Sequence, residues 1–385
     1  MRDHTTGPDY VRVSQSNATD AVEAVNEAVA PLSLAEICFV VAFLPQAMDR
    51  DAVARHLDRA LGGIPVFGCT SAGQITPGGY ESDALLLLAF PKAHFRCASS
   101  LIEPLQPIST SAIAAQVAKQ QAQFQHTAGW NRFALVFADG LSKQEDLLTS
   151  TLETVLSDTP VFGGSAGDGL EFRETVVLQH GRFHSNAALL LMIETNLQFE
   201  GFSFDHFLPS DTQLVITAAD PEARKVFEIN GAPAADEYAR LVGCTVDDLS
   251  PEVFAEHPIL VRHKNTYFVR AISDASDDGS LSFMAAIDEG VILTLGRGIE
   301  IIETLKSGLA RRDAAGQPPD FVLGFDCVLR KLEIEQKQLH DTVSDAFREA
   351  RVLGFNTYGE QHCGVHMNQT FVGVAFFAPK SGRFE

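Results

Sequence analysis

The sequence has little tryptophan or tyrosine: one Trp and five Tyr occur among 385 residues, although Phe is abundant at 27. Basic residues are also scarce, since 29 Lys and Arg face 50 Asp and Glu, and the formal net charge is −21. Binding to a nucleic-acid backbone depends on clustered basic residues, so this balance argues against a nucleic-acid partner. Phe supplies bulk without a polar group, and its surplus indicates a thick apolar core or an apolar pocket.

Long hydrophobic runs are missing as well. The longest, residues 37–45 and 84–91, are too short to cross a bilayer, and the N-terminus has no apolar segment typical of a secretion signal. Cysteine pairs of the C-x-x-C type do not occur, because the six cysteines are scattered singly. We therefore expect a soluble cytoplasmic protein with free thiols, no membrane partner and two or three domains.

An internal duplication is the most informative pattern. The apolar run that begins at Ile37 recurs at Arg132, and the phrase Pro-Val-Phe-Gly at Pro65 recurs at Pro160, both after 95 residues. In each copy an amphipathic stretch of helical type lies between the two. The next apolar strands, from 84 and from 187, are 103 residues apart, so the second copy has about eight extra residues. These read as a hairpin over 175–184 with its turn at His180-Gly181.

The order strand, helix, strand and small-residue loop predicts a parallel strand pair with a crossover helix in each copy. The glycine-containing loops 68–73 and 163–169 can then line a cleft. We predict an N-terminal domain over 10–208, made of two duplicated α/β halves with repeats at about 35–101 and 130–208. It packs on a C-terminal α+β domain over 209–380, so the fold class is α/β and α+β.

Two histidines adjoin apolar strands of the second copy. His184 lies on the extra hairpin, with Arg182 on the same strand face, where an arginine can meet an anionic group. His206 lies between two phenylalanines. Either imidazole could ligate a metal or simply hydrogen bond within the fold. Around them the sequence is rich in Phe, as a large apolar pocket or an ordinary core would require: Phe172, Phe183, Phe199, Phe202, Phe204 and Phe207.

Other polar groups are concentrated near the C-terminus. This segment could bind a metal or a small ligand, or it could be a polar loop, and its residues are Tyr358, Glu360, His362, Cys363, His366 and Asn368. An enzyme would require an activated nucleophile, for which Cys69 and Cys363 are the candidate thiols. The motif G-x-S-x-G is absent, and Cys69 has Gly164 at its equivalent position in the other copy. We therefore favour a protein that is not an enzyme.

The paired Pro-Val-Phe-Gly phrases, the motif that begins Gly324-Phe-Asp-Cys-Val-Leu-Arg-Lys and the motif that begins Gly354-Phe-Asn-Thr-Tyr-Gly-Glu-Gln resemble the FIST proteins. These proteins join a FIST N domain, here 10–208, to a FIST C domain, here 209–380. The resemblance extends over about residues 15–378. It implies a role in bacterial signal transduction, with a small ligand as the stimulus.

Within that family the chain looks most like the stand-alone NosP-type haemoproteins. This resemblance implies a non-covalent haem b that detects nitric oxide, and an output through a partner histidine kinase or a cyclic-di-GMP enzyme, with biofilm formation as a regulated process. His184 is then the axial ligand of the haem iron, Arg182 a contact for a haem propionate and His206 the reserve ligand.

The alternative is a haem-free receptor for an amino acid or other small metabolite, with Tyr358, Glu360, His366 and Asn368 as polar contacts. A homodimer is one candidate for the oligomeric state.

Overall fold

Three units of the same topology make up most of the fold, in a computed structural model that describes residues 10–263 and 266–379. The first unit comprises β1 (Arg12–Ser16), α1 (Ala21–Val29), β2 (Ile37–Pro45), α2 (Arg50–Leu61), β3 (Val66–Ser71), β4 (Gln74–Thr76), β5 (Gly79–Glu81) and β6 (Leu85–Pro91). The second comprises β7 (Phe95–Ile102), α3 (Thr110–Gln123), β8 (Asn131–Ala138), α4 (Glu145–Leu156), β9 (Val161–Ser165), β10 (Val177–Gln179), β11 (Arg182–His184) and β12 (Ala188–Thr195).

The third unit is interrupted by an inserted module. The unit begins with β13 (Gln198–Phe204) and resumes with α7 (Ile301–Leu309), β22 (Phe321–Cys327), α8 (Val328–Gln336), α9 (His340–Ala350), β23 (Val352–Thr357), β24 (Glu360–His362), β25 (Val365–Met367) and β26 (Phe371–Phe377). The module contains β14 (Phe207–Asp220), β15 (Lys225–Ile229), β16 (Ala232–Pro233), α5 (Ala234–Val242), α6 (Pro251–Glu256), β17 (Ile259–His263), β18 (Thr266–Arg270), β19 (Ile272–Ala275), β20 (Leu281–Phe283) and β21 (Ile292–Gly298).

Each unit gives its small hairpin to the sheet of another unit. Hairpin β4–β5 of the first unit extends the third sheet, in the order β13-β26-β22-β23-β4-β5. Hairpin β10–β11 of the second unit extends the first sheet, β1-β6-β2-β3-β10-β11. Hairpin β24–β25 of the third unit extends the second sheet, β25-β24-β9-β8-β12-β7. The three units therefore form a closed ring around a pseudo-threefold axis.

Residues at the two ends of the first crossover helix, α2, determine where it begins and ends. Asp49 caps the start of α2 by accepting a hydrogen bond from the Ala52 amide, and Gly62, with φ of 60°, ends the helix in the left-handed conformation. The buried residues Val53, Leu57 and Leu61 recur at intervals of four and cover the sheet.

Aromatic rings fill the centre of the ring of units. Phe43, Phe137 and Phe325 occupy the same position in β2, β8 and β22, and all three are fully buried. The centroid of Phe137 is 5.7 Å from that of Phe43 and 6.4 Å from that of Phe325. Phe355 stacks on Phe43 at 4.4 Å. Much of the Phe surplus thus lies in a shared core, and such ring contacts add to the energy of burial.

A glycine at one equivalent position allows each parallel strand pair to approach. Gly68, Gly163 and Gly354 follow the first two residues of β3, β9 and β23. A Cβ atom on any of them would lie 1.8–1.9 Å from a carbonyl oxygen of the neighbouring strand. No side chain fits at these positions, which explains the Gly in the repeated phrase.

The inserted module has a separate core and an eight-stranded sheet made of β14–β21. A tight turn lies at Asn230-Gly231, where both residues have positive φ, at 55° and 78°, and β15 pairs with β16 across it. No helix within the described residues is long and apolar enough to cross a membrane.

The predicted mixed α/β architecture is confirmed. Both parallel strand pairs form, β2 with β3 and β8 with β9, and the predicted hairpin turns at His180-Gly181. The hairpin is not the extra element of the second copy, however, because β4–β5 is its counterpart in the first unit. The additional residues lie in the loop between β9 and β10. We predicted two copies of the unit, whereas the fold has three. The third copy lies in the segment that we predicted as a C-terminal α+β domain. Residue 380, the predicted end of that domain, lies outside the described residues.

Candidate ligand-binding cleft

The loops after the three parallel strand pairs meet on the pseudo-threefold axis. The amide of Ala72 donates to the carbonyl of Asn356 at 3.0 Å. The equivalent amides of Gly167 and Tyr358 donate to the carbonyls of Thr70 and Ser165, each at 3.1 Å. These three hydrogen bonds form a cycle that holds the loops together on the axis. An open cleft lies beside these loops.

The cleft is bordered by all three units and has a volume of about 390 Å³, within the range typical of small-molecule sites. The first unit contributes the ends of β2 and β3 and the turn after β5, the second contributes the loop after β9, and the third contributes one face of α8. The residues that line the cleft include Gln46, Ala47, Asp83, Glu171, Lys331 and Glu335.

Lys331 is the one cation among these lining residues, and its side chain is only 9% exposed. Its ammonium donates to the Ala72 carbonyl at 3.2 Å and to the Ser82 hydroxyl at 2.9 Å. Burial lowers the pKa of Lys331, although Glu335 partly offsets this effect. The exposed carboxylates of Asp83, Glu171 and Glu335 surround it, so the cleft offers both signs of charge.

Loop 168–174 forms one wall of the cleft and is held by Asp168. This carboxylate accepts hydrogen bonds from the amides of Phe172, Arg173 and Glu174, and from the hydroxyl of Tyr358. Phe172 has φ of 50°, a strained value for a residue with a large side chain, and its ring stacks on Tyr358 at 4.7 Å. The wall is therefore fixed at its base by hydrogen bonds and by one aromatic contact.

Ion pairs and hydrogen bonds hold the chain beside the crossover helices α2 and α4. Beside α4, Arg224 of the inserted module forms a buried ion pair with Glu145. Beside α2, Glu174 pairs with Arg50 at 2.6 Å, and Gln46 donates to Glu171 at 3.4 Å. α8 has no counterpart among the described residues of the first two units, because α9 packs on α7 as α2 packs on α1 and as α4 packs on α3. The face that α8 gives to the cleft is therefore found only in the third unit.

Behind the cleft, the other face of α8 carries a buried chain of polar groups. Arg330 donates to Asp326 at 2.8 Å and to Nδ1 of His206 at 3.0 Å. Since Arg can only donate, Nδ1 accepts, and Nε2 of His206 donates to Glu333 at 2.8 Å. Burial lowers the pKa of His206, in keeping with this neutral form. Glu333 also accepts from Lys337 at 2.6 Å.

His184 lies on β11, the edge strand of the first sheet, and its side chain is 25% exposed. Its Nδ1 is 3.3 Å from a carboxylate oxygen of Glu103, and its Nε2 has no hydrogen-bond partner among the described residues. Arg182 is exposed on the same strand. His206, the reserve ligand, is fully buried with both ring nitrogens engaged, so this arrangement leaves iron no ligand atom there.

The phenylalanines near these histidines in the sequence do not form one pocket. Phe172 stacks on Tyr358 and is 44% exposed, Phe183 packs against the core of the first unit, and Phe202 packs with Phe371 in the third. Phe172 lies in a loop, and the strands that carry Phe183 and Phe202 belong to different sheets, so the three rings are separated.

The four polar residues of the alternative site do not line the cleft. Tyr358 supports its wall, whereas Glu360, His366 and Asn368 are buried. Glu360 accepts hydrogen bonds from the Thr357 hydroxyl and the Thr370 amide, and burial raises its pKa well above the usual range. Nε2 of His366 has no partner within the part of the chain that the structure describes.

Within the described residues, the candidate cysteine nucleophiles and the candidate metal ligands do not form an active site or a metal site. Burial raises the pKa of the Cys69 thiol well above its usual value, which disfavours a nucleophilic thiolate there. Cys363 is exposed at the turn between β24 and β25. Over residues 10–263 and 266–379, no three His, Cys, Asp or Glu side chains lie close enough together to hold a metal ion.

Sequence reasoning missed Lys331 and Asp168 as parts of a site, although both lie in motifs that we had noted. A lysine that follows a strand reads as a surface residue, and its burial depends on contacts with Ala72 and Ser82, which are remote in sequence. The signal that could have found it is its position at the carboxyl end of a parallel strand, where α/β folds bind ligands.

Comparison with protein-family models gives two adjoining matches. The model of the FIST N domain matches residues 38–232, and the model of the FIST C domain matches residues 234–363. No curated protein matches the chain.

Proposed function

The chain belongs to the FIST family, and on that premise we propose that it is a bacterial signal-transduction sensor that binds a small metabolite, such as an amino acid, in the cleft beside α8. FIST domains are sensory and not catalytic, and they bind small ligands. The observation that carries the proposal is that the cleft is bordered by all three units and places the nearly buried Lys331 among exposed carboxylates. A ligand there would contact Lys331 with an anionic group and the rim carboxylates with a cationic one.

The position of α8 supports a route from ligand to output. One face of the helix lines the cleft through Lys331 and Glu335. The opposite side reaches a wider groove of about 740 Å³, which includes Glu333 and Lys337 and is bordered by the inserted module. His206, at the root of the module, joins the two through Arg330 and Glu333. A ligand that prefers one position of α8 would thereby change the groove, as coupling between two sites requires.

A screen of metabolites by thermal shift tests the cleft. A true ligand raises the melting temperature by mass action. Ala47 is exposed on the cleft wall, so Ala47→Trp should fill the space without disturbing the core and should abolish the shift. Ala115→Trp, at an exposed position on α3 outside the cleft, is the matched control and should keep it. The proposal is overturned if no metabolite raises the melting temperature, or if both variants respond equally.

One observation favours haem as a second candidate. A histidine that binds a metal usually holds its other ring nitrogen against a carboxylate, and His184 has this arrangement with Glu103. The residues that would hold a haem b are His184 for the iron and Arg182 for a propionate. The bound haem would supply a ferrous iron that binds nitric oxide. The protein would then report nitric oxide to a histidine kinase or a cyclic-di-GMP enzyme in the cytoplasm.

Titration with haemin tests this candidate. We expect a Soret band that saturates at one haem per chain and that His184→Ala loses or shifts. His180→Ala changes an exposed histidine in the turn of the same hairpin and should bind haem normally. Absence of a Soret band, or equal binding by both variants, would count against haem at His184.

A further inference from the structure

Two of the six cysteines lie together where the first unit meets the second. Cys38 is in β2, at the irregularity where its pairing with β6 shifts between Ile37 and Phe39. Cys97 is in β7, the edge strand of the second sheet. The two strands contact each other, and the Cys38 thiol is hydrogen bonded to the backbone of Cys97. Both side chains also pack against the same core cluster.

Cys38 and Cys97 have different electrostatic surroundings. Both are half-buried, so a small oxidant can reach them. Burial raises the pKa of each thiol, but the charges of Lys92 and Arg96 and the backbone hydrogen bond partly offset this for Cys38. For Cys97 the charge of the nearby Cys38 adds to the effect of burial and raises the pKa further. Cys38 is therefore the thiol that ionises more readily, and the thiolate is the form that reacts with oxidants.

We propose that Cys38 and Cys97 form a reversible disulfide when the protein meets a peroxide. The Cys38 thiolate attacks one oxygen of hydrogen peroxide, which yields a sulfenic acid and, after protonation of the leaving hydroxide, water. The Cys97 sulfur then attacks the sulfenic sulfur and forms the S–S bond, and the second oxygen leaves as water with the proton of the Cys97 thiol. Two thiols and one peroxide thus give one disulfide and two waters.

The disulfide joins two units that are otherwise held by packing and by hairpin exchange. It ties the beginning of β2 to β7 and so restrains the boundary between the first and second sheets. In reducing surroundings such a bond is transient and serves redox sensing. Oxidation is thus a second input to the protein, and it does not depend on the ligand proposed for the cleft.

Peptide mapping of the full-length protein tests the proposal. The protein is treated with hydrogen peroxide, its remaining thiols are alkylated, and it is digested without reductant. We expect a cross-linked peptide that contains Cys38 and Cys97, four alkylated cysteines of the six, and recovery of both thiols with dithiothreitol. Cys363→Ser removes the exposed thiol and should leave the cross-link intact.

A second measurement is independent of digestion. The oxidised protein should melt at a higher temperature than the reduced one, because the bond restricts the unfolded chain. Cys97→Ser should show no such rise. The proposal is overturned if Cys38 and Cys97 are alkylated or oxidised separately in the treated protein, or if the rise in melting temperature persists in Cys97→Ser.

Discussion

Replacement of Glu360 by Gln should stabilise the protein at neutral and alkaline pH. Gln74 occupies the equivalent position in the first unit, since both residues begin the exchanged hairpin. Gln74 donates to the Ser71 hydroxyl at 2.8 Å and accepts from the Ala84 amide at 3.1 Å. Glu360 is bonded to the equivalent hydroxyl and amide, so a glutamine at this position can make the same two bonds without carrying a charge.

The sign of the effect follows from the pKa of Glu360, which burial raises well above its usual value. The folded protein keeps a proton that the unfolded chain releases above a pH of about 4.3. The contribution of Glu360 to stability is therefore complete below that pH and is lost as the pH rises toward the folded-state pKa. Glutamine does not titrate, and Glu360→Gln should lack this loss.

The magnitude is set by one proton. The free energy of unfolding should fall in the wild type, relative to the variant, by at most about 1.4 kcal/mol for each pH unit. Between about pH 5 and pH 8 the difference would reach about 4 kcal/mol if the carboxyl group stays protonated throughout.

Urea unfolding at several pH values measures this difference. Glu228→Gln, at an exposed position on β15, is the control for loss of one surface carboxylate and should give a difference near zero. A difference between wild type and Glu360→Gln that does not change with pH would refute the reasoning. It would mean that Glu360 is ionised in the folded protein.

Three further predictions concern stability and are measured by urea or thermal unfolding. Gly354→Ala should lower the free energy of unfolding by about 3 kcal/mol or more, because the added Cβ would lie 1.8 Å from a backbone oxygen of β22. Gly298→Ala should lower it far less, since the nearest atom to its added Cβ is 3.9 Å away. Equal losses in the two variants would contradict this reasoning. Arg224→Ala should lower the free energy of unfolding by about 3–5 kcal/mol, because it leaves the buried carboxylate of Glu145 unpaired. Arg240→Ala, at an exposed ion pair, should lower it by at most about 1 kcal/mol. A small loss for Arg224→Ala would show that its ion pair is dispensable. Burial lowers the pKa of His366, so the free energy of unfolding should fall as the pH drops below about 6.5. His366→Gln should reduce that fall. If the variant shows the same pH dependence as the wild type, His366 is not the source of the fall.

The two N-terminal copies were predictable because identical phrases recur at identical spacing. The third copy was not, for two physical reasons. The inserted module lies between β13 and α7, so the spacing of the first two copies is lost. The repeated phrase also loses its proline and its phenylalanine: it reads Val352-Leu-Gly-Phe, which keeps the valine, the glycine that admits the neighbouring strand and the apolar character. Steric need fixes these features, and a search for identical residues does not detect them.

The candidate site was less predictable than the fold. The loops that meet at the axis could be identified from their glycines, but the cleft arises from three units and one helix face that only the folded chain brings together. His206 illustrates the same limit. A histidine between two phenylalanines gives no sign of its partners, and Arg330 and Glu333, which engage both its nitrogens, lie more than 120 residues away.

The exchange of hairpins has a consequence for the two segments that the family models match. Their border, near residue 233, falls inside the inserted module, whereas the strand pairing crosses between the segments. A fragment that stops at this border would lose β24 from the edge of β9 and would leave β4 without β23. Exposed edges of this kind promote aggregation. We therefore expect the FIST N and FIST C segments of this chain to fold together as one unit and neither segment to fold on its own.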